Sequence, residues 1–92
     1  MIVRVNAEKL EALLKTSEDA EALGGGEYTL DLYDVETPVS LDLEITKKGV
    51  DVLAALELCY DEAEDGWYLG EKIKDAARLE RLIGEAIDRR EG

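Results

Sequence analysis

The sequence contains no histidine, which removes the commonest general base and the usual partner of a serine or cysteine nucleophile. It has one cysteine, Cys59, so an internal disulfide and a thiolate metal cluster are both excluded. Its glycine run, residues 24–26, follows a predicted helix and precedes a predicted strand, which is the wrong order for a dinucleotide-binding loop. We therefore expect that the protein is not an enzyme and that it holds no cofactor and no metal.

Long hydrophobic runs are also missing. No apolar stretch approaches the roughly 18 residues that span a bilayer. The short apolar start of the chain is interrupted by Arg4, so we predict neither a membrane segment nor a signal peptide. A lone cysteine in a small domain is typical of a reducing compartment, which predicts a cytoplasmic location, and we interpret Cys59 as a small core residue.

The 92 residues, of which 46% are hydrophobic, are enough for one domain and too few for two. We predict a single α+β domain over residues 1–92. A mostly antiparallel sheet of about four to five strands would carry an N-terminal and a C-terminal helix on one face.

Hydrophobic periodicity places most of the elements. A short strand at 2–5 is followed by a helix at 7–15 that Asn6 caps. Thr16 and Ser17 are interpreted as caps of a further helical turn that runs through Leu23. The remaining clear elements are strands at 28–32, 39–45 and 67–73 and a final helix that Asp75 caps.

Residues 50–60 are compatible with two structures. Val50, Val52 and Ala54 alternate as in a strand, whereas Val52, Leu56 and Cys59 also fit a helical stripe. The turn at Lys48-Gly49 directly after a strand favours a hairpin, so we predict a strand and keep the helix as the alternative.

Basic residues are scarce and unevenly placed. The chain carries 23 acids and 11 bases, a net charge of −12. Residues 16–71 hold sixteen of the acids and only two bases, Lys47 and Lys48. Because phosphate binding needs lysine and arginine, we expect no direct contact with nucleic acid or with an anionic membrane. A basic protein surface remains a compatible partner.

The acids of the middle segment predict a candidate partner-binding surface. Asp31, Asp42 and Glu44 alternate with buried positions and should project from the exposed face of the sheet. Tyr33 falls on that same face, and Asp34 and Glu36 lie in the adjoining loop. Two interpretations stay open at this point: a surface that binds a basic partner, or a face that is only solvated and resists aggregation.

Three further features favour structural roles. Asp61, Asp65 and Gly66 match positions of a calcium loop, but Ala63 and Lys72 occupy ligand positions, so we interpret the segment as a solvated turn. Trp67 is interpreted as a core residue, because the protein has no phenylalanine. The arginines of the last helix are interleaved with acids, which predicts surface salt bridges.

In size and charge, the chain resembles the small acidic inhibitors of phages and mobile elements, which include anti-CRISPR proteins and DNA mimics. The resemblance rests on the composition of residues 16–71 and identifies no functional residues. It implies a non-catalytic binding protein that occupies a basic, nucleic-acid-binding surface of a partner. The alternatives are a structural or assembly subunit whose acidity serves solubility, and an antitoxin-like neutraliser. The sequence leaves the oligomeric state open.

Overall fold

The computed structural model describes residues 1–91 and, within them, two helices and six strands. The elements in chain order are β1 (Ile2–Val3), α1 (Ala7–Thr16), β2 (Ala20–Gly24), β3 (Glu27–Leu32), β4 (Val39–Thr46), β5 (Gly49–Asp61), β6 (Gly66–Lys72) and α2 (Ala76–Glu91). This is the predicted α+β fold, with both helices and a mostly antiparallel sheet.

All strand pairs are antiparallel, and the sheet order is β1-β5-β4-β3-β2. The long strand β5 has β4 along one side. Its other side is shared, because β1 pairs with Val50 and Asp51 whereas β6 pairs with the segment from Leu56 to Asp61. Consequently β2 lies at one edge of the sheet, and β6 lies at the opposite edge.

The core lies between one face of the sheet and the two helices. Leu10 and Leu14 of α1 and Leu79 and Ile83 of α2 belong to the same buried cluster as the alternate, inward residues of the strands. Each helix begins at a side-chain cap. Asn6 Oδ1 accepts a hydrogen bond from the Lys9 amide at 3.1 Å, and Asp75 Oδ1 accepts one from the Ala77 amide at 3.0 Å. Both helices therefore cover the same face, and the other face of the sheet is left open.

The predicted helical turn through Leu23 is wrong, because residues 20–24 form strand β2. Gly25 and Gly26, with φ of +61° and +82°, form a two-residue hairpin turn that returns the chain as β3. Pairing of Ala20–Gly24 with β3 outweighs the helical propensity of Ala-Glu-Ala-Leu. With this edge strand the sheet has six strands, one more than the four to five that were predicted.

Residues 50–60 are a strand, as predicted, and its mixed pattern has a local cause. The pairing with β4 shifts between Leu43–Val52 and Asp42–Ala54, so Leu53 is an extra residue in a β-bulge. The bulge moves the inward positions from Val50 and Val52 to Ala55, and this change of phase imitates a helical stripe.

Within the described part of the chain, none of the helices has the length and apolar character needed to cross a membrane.

Candidate functional site: an acidic open face with an aromatic cluster

The face of the sheet opposite the helices carries acids on four neighbouring strands. We call this surface the open face. Because side chains alternate along a strand and paired residues share a face, the register places six carboxylates there. They are Glu21, Glu27, Asp31, Asp42, Glu44 and Asp51. Strands β2, β3 and β4 contain no lysine or arginine, so these acids have no local cation on their own strands.

Three of these acids stand side by side across the sheet. Glu27 of β3 is directly opposite Glu44 of β4, and Glu44 is directly opposite Asp51 of β5. Directly opposed side chains in a sheet have Cβ atoms only about 4.5–5.5 Å apart, where like charges destabilise the pair. We call Glu27, Glu44 and Asp51 the acidic row. Among the described residues, the salt bridge found in this row belongs to its outer member, since the N-terminal ammonium donates to Asp51 Oδ1 at 2.6 Å.

A second contact of Glu27 shows how crowded these carboxylates are. Glu27 shares a hydrogen bond with the Asp42 side chain, and this bond together with the negative charges of Asp42 and Glu44 raises the pKa of Glu27 above its ordinary value of 4.5. One carboxylate oxygen of Asp42, Oδ1, is buried and has no hydrogen-bond partner among the described residues. The centre of the open face therefore holds negative charge for which the described residues provide no salt bridge.

An aromatic cluster borders the acids. The ring of Trp67 lies between Tyr33 and Tyr60, with centroid separations of 5.0 and 5.3 Å. The Tyr60 hydroxyl donates to Asp65 Oδ1, and this bond raises the pKa of Tyr60. Burial and the nearby charge of Asp31 raise the pKa of Tyr33. We use the term aromatic cluster for Tyr33, Tyr60 and Trp67.

The aromatic cluster has a small apolar base. Leu58 is buried, yet it is not a member of the main core cluster. It shares the open face with Tyr60, two residues along β5, and it is paired with Leu69 of β6. Trp67 itself remains 47% exposed, so its interpretation as a core residue is wrong. The reason is that β6 presents it to the side of the sheet that the helices leave open.

Four of the six residues predicted from the sequence meet on the open face: Asp31, Tyr33, Asp42 and Glu44. The two loop residues lie beside α2. Asp34 lines a groove of about 340 Å³ at the margin of the open face, which it shares with Asp31 and Tyr33 and with Arg89 and Arg90 of α2. The amide of Glu36 donates to Glu85 Oε1 on α2 at 3.1 Å, so Glu36 faces the helix rather than the open face.

Sequence reasoning missed Glu27 and Asp51, which complete the acidic row. Glu27 directly precedes the predicted strand 28–32, and Asp51 lies in the segment whose structure was ambiguous. A signal for both was present, because each follows a glycine turn and keeps the alternation of its strand.

The other features noted in the sequence form a turn, surface salt bridges and a packing contact. Residues 61–66 form the end of β5, a turn and the start of β6, and no cluster of His, Cys, Asp and Glu residues in the described chain has the arrangement of a metal site. Arg89 pairs with Glu85 one helical turn away, and Arg78 approaches Glu57 at 3.5 Å. Cys59 is only partly buried and lies against Gly70 rather than in the main core.

Compared with family models, with curated proteins and with solved structures, the chain matches none of them. The argument for function therefore starts from the charges and rings of the open face.

Proposed function

We propose that the domain is a non-catalytic binding protein whose open face occupies a lysine- and arginine-rich surface of a partner protein. The partner surface is one that holds DNA or RNA, and the domain acts as an inhibitor of the acidic, nucleic-acid-mimicking kind. The observation that carries this proposal is the acidic row, in which Glu27, Glu44 and Asp51 are aligned across three strands.

The energetics of the acidic row favour a binding role over simple solvation. Solubility needs negative charge somewhere on the surface, but it does not need carboxylates in direct opposition, which cost stability. A partner that brings cations to the row relieves this repulsion on binding. Complementary charge also accelerates encounter and selects against acidic competitors.

Two further features support the same surface. Asp42 Oδ1 is buried without a hydrogen-bond partner in residues 1–91, so its charge adds to the negative potential that a basic surface would meet at the open face. The aromatic cluster supplies partly exposed tyrosine and tryptophan rings beside the acids. Such rings are the residues that dominate the energy of many interfaces, and they also bind cations over their faces.

The test compares three versions of the domain as affinity baits against an extract of the source cells. The first is the wild type. The second is the face variant, Asp31→Asn, Asp42→Asn and Glu44→Gln, which keeps side-chain size and strand pattern. The third is the matched charge control, which makes the same change in net charge at exposed acids outside the open face: Glu62→Gln, Glu71→Gln and Asp88→Asn.

We expect wild type and charge control to retain the same basic proteins and the face variant to lose them. Duplex DNA or RNA added to the column should release those proteins, since it competes for the same surface. Equal retention by all three baits would contradict the proposal. If substitution of exposed apolar residues abolished retention instead, the assembly role would be supported.

A further inference from the structure

We propose that the free edge of β6 is a self-association surface, at which two copies of the chain pair antiparallel about Tyr68. This inference does not depend on the proposed function. It rests on the exposed side chains of β6, the direction of its free backbone groups and the charges at its two ends.

The first observation is the side-chain pattern of β6. Trp67, Tyr68 and Leu69 are consecutive and are 47%, 56% and 57% exposed. Edge strands in stable monomers are commonly blunted by proline, by charged side chains, by β-bulges or by a covering element, and in β6 the bulge and the charges come only after Leu69. The segment Gly66–Gly70 contains neither proline nor a charged residue, and β6 pairs with β5 alone among the described strands. An apolar, uncovered edge of this kind is a template for another strand.

The second observation fixes which backbone groups are free. The Leu58 amide donates to the Pro38 carbonyl at 2.8 Å, so the backbone polar groups of Leu58 point toward β4. In an antiparallel ladder, the pair that Leu58 makes on its other side is then of the non-hydrogen-bonded type. Leu58 is paired with Leu69, and Tyr60 is paired with Trp67 two residues further along, so both pairs are of this type. The amide and carbonyl groups of Trp67 and Leu69 therefore point outward from the free edge.

The outward groups select the register of the pair. Antiparallel pairing about Tyr68 places Trp67 of each copy opposite Leu69 of the other, where each pair exchanges both backbone hydrogen bonds. The side chains of Trp67 and Leu69 lie on the open face and contact each other across the new boundary. Tyr68 meets Tyr68 of the partner on the opposite face.

The third observation is charge complementarity between the two ends of the strand. The turn before β6 is acidic, with Asp61, Glu62, Glu64 and Asp65, whereas Lys72 and Lys74 stand at its other end. Antiparallel pairing brings unlike ends together, so the end of each copy with Lys72 and Lys74 approaches the acidic turn of the other. A parallel arrangement would place like charges together. Antiparallel pairing of two copies therefore fits this edge.

The pairing joins two sheets into one and puts both open faces on the same side, since the two-fold axis is perpendicular to the sheet. A single edge strand buries less than a standard interface of about 1,600 Å², so we expect a weak dimer with a dissociation constant on the order of 100 µM. The net charge of −12 on each copy also opposes tighter association.

The first experiment measures sedimentation equilibrium of the unmodified chain between about 10 µM and about 1 mM, at roughly 0.15 M salt where long-range charge is screened. We expect a monomer at the low end and a predominant dimer at the high end. Amide hydrogen exchange over the same range should slow at Trp67 and Leu69 and stay constant at Tyr68, whose amide already points to β5. A monomer throughout, or slowing at other strands only, would overturn the proposal.

The variants separate β6 from the other edge. Leu69→Lys keeps the backbone donor and should raise the dissociation constant at least tenfold. Leu23→Lys is the matched control, because Leu23 is 50% exposed on β2 at the opposite edge, and it should leave the constant unchanged. The reverse result would assign the association to β2 and refute the pairing through β6.

A charge swap tests the antiparallel direction. Lys72→Glu alone places another acid near the acidic turn of the partner and should weaken the dimer, and Glu64→Lys, which places a base near the partner's lysine end, should weaken it too. The double variant should recover most of the wild-type affinity. If the two single changes are additive in the double variant, the lysine end of one copy does not meet the acidic turn of the other and the antiparallel pairing is wrong.

Discussion

Gly26 fixes the register that creates the acidic row, and its replacement by alanine tests that claim. The residue has φ of +82°, and a Cβ atom built on it lies 2.8 Å from the carbonyl oxygen of Ile45. The Ile45 amide in turn donates to the Gly26 carbonyl at 2.9 Å. This close approach holds the hairpin turn against β4 and keeps Glu27 opposite Glu44.

Gly25 provides a matched control in the same turn. Its φ is +61°, but a Cβ atom there meets nothing within 4 Å. Gly25→Ala should therefore cost only the left-handed conformation, about 1–2 kcal/mol. Gly26→Ala combines the left-handed conformation with a backbone clash, and each of these two strains costs about 1–3 kcal/mol. The total loss of stability should therefore be about 3 kcal/mol.

Thermal unfolding followed by circular dichroism measures the difference. For a domain of this size, about 1 kcal/mol lowers the melting temperature by about 4–8 °C. Gly25→Ala should therefore lower it by about 4–16 °C and Gly26→Ala by at least about 12 °C. Equal losses for the two variants would show that the contact between Gly26 and Ile45 does not hold the register, and the reasoning would fail.

Three further predictions concern the open face. Glu44→Gln removes the middle charge of the acidic row, so at low salt it should raise the melting temperature by about 2–5 °C relative to the exposed control Glu62→Gln. An equal or lower melting temperature would contradict the repulsion within the acidic row. Since the pKa of Glu27 is raised in the folded state, its contribution to stability is present below pH 4.5 and is lost as pH rises through the folded pKa. In urea titrations, the wild type should therefore gain stability relative to Glu27→Gln as pH falls from about 7 to about 4.5. A constant difference in stability over this range would refute the shared hydrogen bond with Asp42. Leu58→Ala removes the apolar base of the aromatic cluster, so it should lower the free energy of unfolding by about 2–4 kcal/mol and shift the Trp67 fluorescence to longer wavelength. An unchanged emission spectrum would show that Leu58 does not support Trp67.

The elements with clean alternation were predictable from the sequence. Leu30 and Leu32, and Val39 and Leu41, follow the period of a sheet that is buried on one side, and the structure buries all four. The final helix was equally clear, because its apolar positions repeat at helical spacing behind the cap at Asp75. In these segments, local pattern and tertiary packing agree.

The errors occurred where tertiary pairing decides the structure. Ala20–Gly24 has helical propensity and becomes a strand only because β3 supplies its hydrogen bonds. Residues 50–60 form a strand as predicted, but their pattern was ambiguous because Leu53 shifts the phase of β5 through a bulge that no local signal marks. The prediction that Trp67 is a core residue rests on its size in a protein without phenylalanine, whereas its exposure depends on which face of the sheet the helices cover.

The candidate site was partly predictable for the same reason. Asp31, Asp42 and Glu44 follow from alternation within single strands. The acidic row also needs the register between β3, β4 and β5, and the aromatic cluster needs Tyr33 to meet Trp67 from a distant part of the chain. Such contacts between strands are set by turns and bulges rather than by composition.

Association kinetics test the central claim, that the open face binds a basic surface through its charge. The measurement compares the association rate constants of wild type, face variant and charge control with the captured partner over a series of salt concentrations. We predict that the face variant associates more slowly than the charge control at low salt, although both have the same net charge, and that the difference shrinks as salt rises. Equal association rates for the two variants at low salt would contradict the account.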